Sequence, residues 1–179
     1  MRDLNVVVSV HEGRFVRACQ LLEQFGRLER TEYYNVLVMK VEDTSVFVTA
    51  LADLVSIVPD VLGVVSRAVP AAETFTFQSA GEFEAKAREI ALGWQPALAG
   101  KAFHVRLHRR GFRGRLASQE EERFLDDVLL DALEQAGTPG RISFDDPDAI
   151  LDVETVSNRA GMSLWTREDL SRLPFLKLD

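Results

Sequence analysis

The sequence predicts an α/β (α+β) chain built from two consecutive units. Two observations carry this. Between residues 4 and 69, short β-branched runs alternate with helical periodicities. Near residues 70–78 a proline-containing extended stretch intervenes, and a Ser-x-x-Glu pattern at 79–82 then opens a second series of helices and strands.

LNVVVSV (4–10), bounded by Asp3 and His11, reads as a buried strand. Phe15, Ala18, Leu21, Leu22 and Phe25 recur at helical spacing until Gly26 stops the helix. EYYNVLVMKV (32–41) is a second strand. SVFVTALADLVSIV (45–58) is apolar nearly all round; its length favours a helix, capped by Asp43 or Thr44 and closed by Pro59. VLGVVSRAVPAAETFTF (61–77) begins as a third strand and ends as a connector, since Pro70 cannot serve a central ladder. The order β-α-β-α-β suggests a small sheet with helices on one face.

In the second unit, Ser79 and Glu82 form a capping box, and Phe83, Ala87, Ile90, Ala91 and Trp94 line one helix face. FHVRLHR (103–109) alternates: Phe103, Val105 and Leu107 point one way, His104, Arg106 and His108 the other. A second capping box, Ser118 and Glu121, launches a helix that buries Phe124, Val128, Leu129 and Ala132 and stops at Gly137. AILDVETV (149–156) and GMSLWT (161–166) are strands joined by SNRAG (157–161).

Composition narrows the function. The 179 residues are 46% hydrophobic and 27% charged, as in ordinary globular proteins. Cys19 is the only cysteine, which excludes an internal disulfide and a thiolate zinc centre. The amino-terminal apolar run is too short for a signal peptide, no stretch has the length of a membrane span, and a cytoplasmic location is expected. Phosphate-loop, dinucleotide and nucleophile-elbow motifs are absent. His104 and His108 stand four apart, but on a strand that spans roughly 13 Å, too far for one ion. They are expected to be solvated or to face RNA. DDPDAILDVE (145–154) lacks the glycine and alternation of a calcium loop and reads as a turn feeding a strand whose polar face carries Asp152 and Glu154. Neither a metal nor a cofactor is expected.

One signal remains. The net charge is −7, yet Lys101, Arg106, Arg109, Arg110, Arg113 and Arg115 lie within fifteen residues that hold no acid, so the rest of the chain sums to −13. The bland account is a solvated strand end whose arginines pair with the Glu120–Glu122 run. Exposed pairs contribute only about 0–1 kcal/mol and explain six gathered cations poorly. Gly111 and Gly114 permit close backbone approach, Phe112 offers a ring for a base, and arginine forks suit phosphate. Nucleic acid, and RNA ends or loops in particular, is the ligand these features suit.

The order of a capped helix, KAFHVRLHRRG, SQEEERFLDDVLLDALEQ and DAILDVETVSNRAGMSLW resembles the THUMP domain, an RNA-binding module of tRNA-modifying proteins. Residues 1–71 look like the small ferredoxin-like domain that precedes it in many members, and residues 72–179 then form the THUMP domain. Ending at LSRLPFLKLD, the chain is most similar to the stand-alone tRNA cytidine acetylation adaptor type. That resemblance implies a non-enzyme, monomeric or weakly dimeric, which binds the acceptor stem and CCA end of tRNA. It would serve a tRNA-modifying enzyme in trans, such as an RNA cytidine acetyltransferase. RNA contacts then fall on Lys101, Arg106, Arg109, Arg110, Phe112, Arg113 and Arg115, with Arg159 and Arg167 in support. Two other readings stay open: a small metal-dependent RNA-processing or modifying enzyme, and a protein-interaction module with a basic patch.

Overall fold

A computed structural model describes residues 4–178 and divides the chain into two compact α/β units. One holds the chain through Thr74 together with Leu170–Lys177; the other holds Phe75–Asp169 and Leu178. Among the described residues no helix is long and apolar enough to cross a membrane.

The first unit runs β1 (Val6–Val10), α1 (Phe15–Leu22), β2 (Arg27–Arg30), β3 (Val36–Lys40), α2 (Thr44–Ile57) and β4 (Val65–Pro70). Its antiparallel sheet has the order β2-β3-β1-β4, the ferredoxin-like arrangement. β1 buries Val6, Val8 and Val10; Asp3, taken as its boundary, lies outside the described residues. The strand expected at 32–41 begins only at Val36. Thr31 and Asn35 explain the delay: the Thr31 hydroxyl donates to the Val36 carbonyl at 2.8 Å, and Asn35 takes a left-handed φ of 56°. They close a turn after β2, a polar edge strand without an apolar alternation to reveal it. Gly26 does not end α1, which stops at Leu22. It allows close approach instead, since a Cβ there would sit 2.2 Å from the Lys40 carbonyl oxygen.

Asp43 caps α2, accepting from the backbone N–H of Ser45 and of Val46 at 2.7 and 3.0 Å. Pro59 then opens a 3₁₀ turn, Pro59–Gly63, where the third strand was expected to start, so β4 begins at Val65. Pro70 is its last residue, on an edge strand where a missing N–H is tolerated. The backbone N–H of Ala68 on β4 donates to the Phe175 carbonyl at 3.0 Å, and Leu173, Phe175 and Leu176 are buried.

The second sheet has the order β5-β9-β8-β6-β7, from β5 (Glu73–Thr76), β6 (Ala102–Arg110), β7 (Arg141–Ile142), β8 (Ala149–Val156) and β9 (Arg159–Thr166). β6 is parallel to β7 and β8, and β9 is antiparallel to β8. Between these strands lie α3 (Ala80–Gly93) and α4 (Ser118–Gln135), and α5 (Arg167–Arg172) follows β9. Phe83, Ala87 and Ala91 of α3 and Leu125, Leu129 and Leu133 of α4 share one core with Phe103, Val105 and Leu107 of β6. Ser79 caps α3 through the Glu82 N–H at 3.2 Å, while the Glu82 carboxylate accepts from the Gln78 N–H at 2.9 Å. The hairpin from β8 to β9 turns on Ser157 and Asn158 alone; Gly161 lies within β9, opposite Glu154.

α4 departs from expectation at its start and on its face. Ala117, not Ser118, is its N-cap, and no side chain caps it. The buried residues are Glu121, Leu125, Asp126, Leu129 and Leu133, rotated from the expected Phe124, Val128 and Ala132. The cause is the open edge of β6. β7 covers only Ala102 and Phe103, so the N–H groups of Val105 and Leu107 face α4 without a strand partner. Asp126 accepts from Val105 at 2.9 Å and Glu122 from Leu107 at 2.8 Å. Four residues of helix rise about 6 Å and two of strand about 6.6 Å, so the carboxylates match alternate amides. Gly137 ends α4 as expected: its N–H donates to the Glu134 carbonyl and that of Thr138 to Leu133, with a φ of 70° at the glycine.

Burial pushes the carboxyls of Glu121 and Asp126 up to about 7, Glu84 and Glu120 adding like charge at Glu121, and the Val105 N–H partly opposing the rise at Asp126. A folded-state pKa above the unfolded one favours the fold at low pH, and this contribution is lost as pH rises through about 7. Glu121→Gln should therefore raise the melting temperature at pH 8 by about 2 °C or more and change it little at pH 5. Thermal denaturation across pH 5–8 checks this; a variant that parallels wild type throughout would show that Glu121 ionises freely.

Candidate nucleic-acid interface

The cation-rich stretch divides into two populations. β6 presents alternate residues to opposite faces, as its sequence predicts. Phe103, Val105 and Leu107 enter the core, while His104, Arg106, His108 and Arg110 line the other face. Parallel pairing sets Arg106 against Asp152 and His108 against Glu154. A row of bases on β6 thus runs beside a row of acids on β8, and Asp152 and Glu154 are both buried.

Internal partners hold the strand residues. Arg110 donates to the Glu154 carboxylate, and Arg109 to the Gly111 carbonyl. Arg106 Nε donates to the Leu178 carbonyl at 3.2 Å, and His108 Nε2 lies 3.1 Å from the same oxygen. His104, expected to be solvated or RNA-facing, is buried, with Nδ1 2.8 Å from the Ser143 carbonyl and its ring against Phe144.

Arg167 is exposed but engaged. It donates to Asp146 and, at 3.0 Å, to Asp148. Those hydrogen bonds raise its pKa, Asp146 first. Asp148 is held below the ordinary carboxylate range by the Ala102 N–H and then by Arg167. The DDPD turn is therefore tied down by protein groups. Arg159 is half-buried at the start of β9.

Lys101, Arg113 and Arg115 stand exposed. The last two lie on the loop between β6 and α4. Phe112 anchors this loop, packed 4.8 Å from the Phe77 ring, with the Arg115 guanidinium over it at 4.4 Å. The ring expected to receive a base already has protein at both contacts.

One constellation was not foreseen. His108, Asp152 and Glu154 each bring a ligand-type atom within 4.8 Å of the others. The strand register assembles them, which residue spacing cannot show. Arg110 already supplies a cation to Glu154, and His108 lies 3.9 Å from Asp152, so the trio belongs to a charge-paired sheet face.

No protein-family model matches the chain, and no curated protein matches it. Its fold is nonetheless found among solved structures. PH1313 from Pyrococcus horikoshii Ot3 matches 91% of this chain and 55% of its own, at 13% identity and a TM-score of 0.60. TrmN from Thermus thermophilus matches 90% and 45%, at 17% identity and a TM-score of 0.57. A 4-thiouridine synthetase, solved as an RNA complex with bound ATP, matches 91% and 41%, at 13% identity and a TM-score of 0.55. The chain spans about half the length of the structures it matches.

The expectation of a non-enzyme does not stand. A possible methylase from Clostridium difficile 630, which matches 93% of this chain and 42% of its own at 14% identity and a TM-score of 0.53, is among the structures of this fold, as is the ATP-bound synthetase. That expectation rested on where the chain stops and on missing motifs, and neither bears on activity.

The two arginine populations should respond differently to substitution. Arg110→Gln leaves the buried Glu154 carboxylate without its guanidinium and should cost about 3 kcal/mol. Arg113→Gln should stay within about 0.5 kcal/mol of wild type, as surface substitutions do. Equal melting temperatures for the two variants, read by calorimetry, would contradict the division.

Proposed function

We propose that this chain is a THUMP-type tRNA-binding protein that serves a tRNA modification reaction. The observation that carries this is the exposed pair Arg113 and Arg115 on an anchored loop, in a fold shared with a synthetase solved with RNA. Guanidinium forks bind phosphate oxygens in pairs, and a loop held by its own aromatic anchor loses little entropy on binding. Lys101 is exposed at the opposite end of β6, about 30 Å of strand away, and is not part of this pair, whereas Arg106, Arg109, Arg110 and Arg167 act mainly by shaping and holding the sheet and its loops.

The bound region is the acceptor stem with its CCA end. The first unit, in place of the residues 1–71 expected from sequence, positions the stem, and the second supplies most of the affinity. The step assigned to the chain is the holding and presentation of tRNA, and an RNA cytidine acetyltransferase is one partner that could use it.

Binding of a tRNA transcript should weaken with salt. Replacing Arg113 and Arg115 together by Gln should flatten the log–log slope by about 1.4–1.8, at roughly 0.7–0.9 for each lost phosphate contact. Filter binding across a salt series reads this directly. Undiminished affinity of the double variant at physiological salt would remove the loop from the interface.

A further inference from the structure

The loop after β6 has a backbone feature that its charge does not explain. From Phe112 to Arg115 the sign of φ alternates: 51° at Phe112, negative at Arg113, 77° at Gly114 and negative at Arg115. Consecutive N–H groups held in a turn of this kind can converge on one anion. The N–H groups of Arg115 and Leu116 both donate to the Phe112 carbonyl, at 2.9 and 3.0 Å, and so close the loop. Those of Phe112, Arg113 and Gly114 donate to no acceptor among the described residues.

A left-handed conformation is uncommon for a phenylalanine and needs support. Support is present: the Phe112 ring packs on Phe77, in the core shared by α3 and β6, and carries the Arg115 guanidinium. The same contact that fixes the backbone also places a cation over the loop.

We propose that residues 112–115 form a preorganised nest for a single phosphate group. The N–H groups of Phe112, Arg113 and Gly114 line it, the Arg113 and Arg115 guanidiniums supply charge, and Phe112 acts as the positioning residue. That the phosphate belongs to tRNA rests on the function proposed above; that the loop binds phosphate does not.

Gly114 gives a clean test, because a Cβ there would meet nothing within 4 Å and a substitution acts on the backbone alone. Asparagine tolerates the left-handed region and alanine does not. Inorganic phosphate, titrated into the full chain at constant ionic strength, should shift the amide NMR signals of Phe112, Arg113 and Gly114. Gly114→Ala should weaken this binding about threefold or more, while Gly114→Asn restores it. Phe112→Ala should abolish the shifts. Loop amides that do not move, or two Gly114 variants that both bind as wild type does, would overturn the nest. Should the loop respond to phosphate as described while the Arg113→Gln, Arg115→Gln double variant binds tRNA as wild type does, the nest stands and the proposed tRNA contact at this loop falls.

Discussion

Past Phe103, the outer edge of β6 has no neighbouring strand, and the carboxylates of Asp126 and Glu122 take its place. An unpaired amide buried at such an edge costs about 1–3 kcal/mol, so these two contacts fix how α4 lies on the sheet. The consequences spread along the helix. Leu125, Leu129 and Leu133 turn into the core, and Glu121 is carried into burial with them. Its raised pKa is thus a by-product of satisfying β6 through its neighbours. Glu122, from the acidic start of α4, is thus an edge cap and not a counter-charge for the arginines.

The other face of β6 is organised by charge. Arg106 and His108 stand in register with Asp152 and Glu154, and Arg110 donates to Glu154, so the basic and acidic groups of this polar sheet face meet across one strand pair. Buried pairs of this kind add little net stability against apolar packing, but breaking one is costly. They select one strand register, because a one-residue slip would set acids against the core. In this way an arginine-rich strand serves the fold, and only the arginines beyond its end are left for a ligand.

That division sets the character of the interface. A strand followed by a loop with its own aromatic anchor presents a few fixed cations, not a broad basic surface. The net charge of −7 on these residues does not favour long-range steering of a polyanion. The tRNA contact proposed for this loop would act at short range, where guanidinium forks are effective.

The amino-acid order by itself determined the two-unit α/β composition, the alternation of β6, the Ser79 cap, a cap at Asp43 or Thr44 and the Gly137 stop. Each depends on interactions within a few residues, which spacing records directly. The strand bounds at Val36 and Val65, the rotation of α4 and the burial of His104 were decided by tertiary structure. So was the fate of each arginine. Arg110 and Arg113 are three residues apart and chemically identical, yet one faces Glu154 across a strand pair and the other faces water. What separates them is the pairing of β6 with β8, a contact between residues some forty positions apart, and no local pattern encodes it.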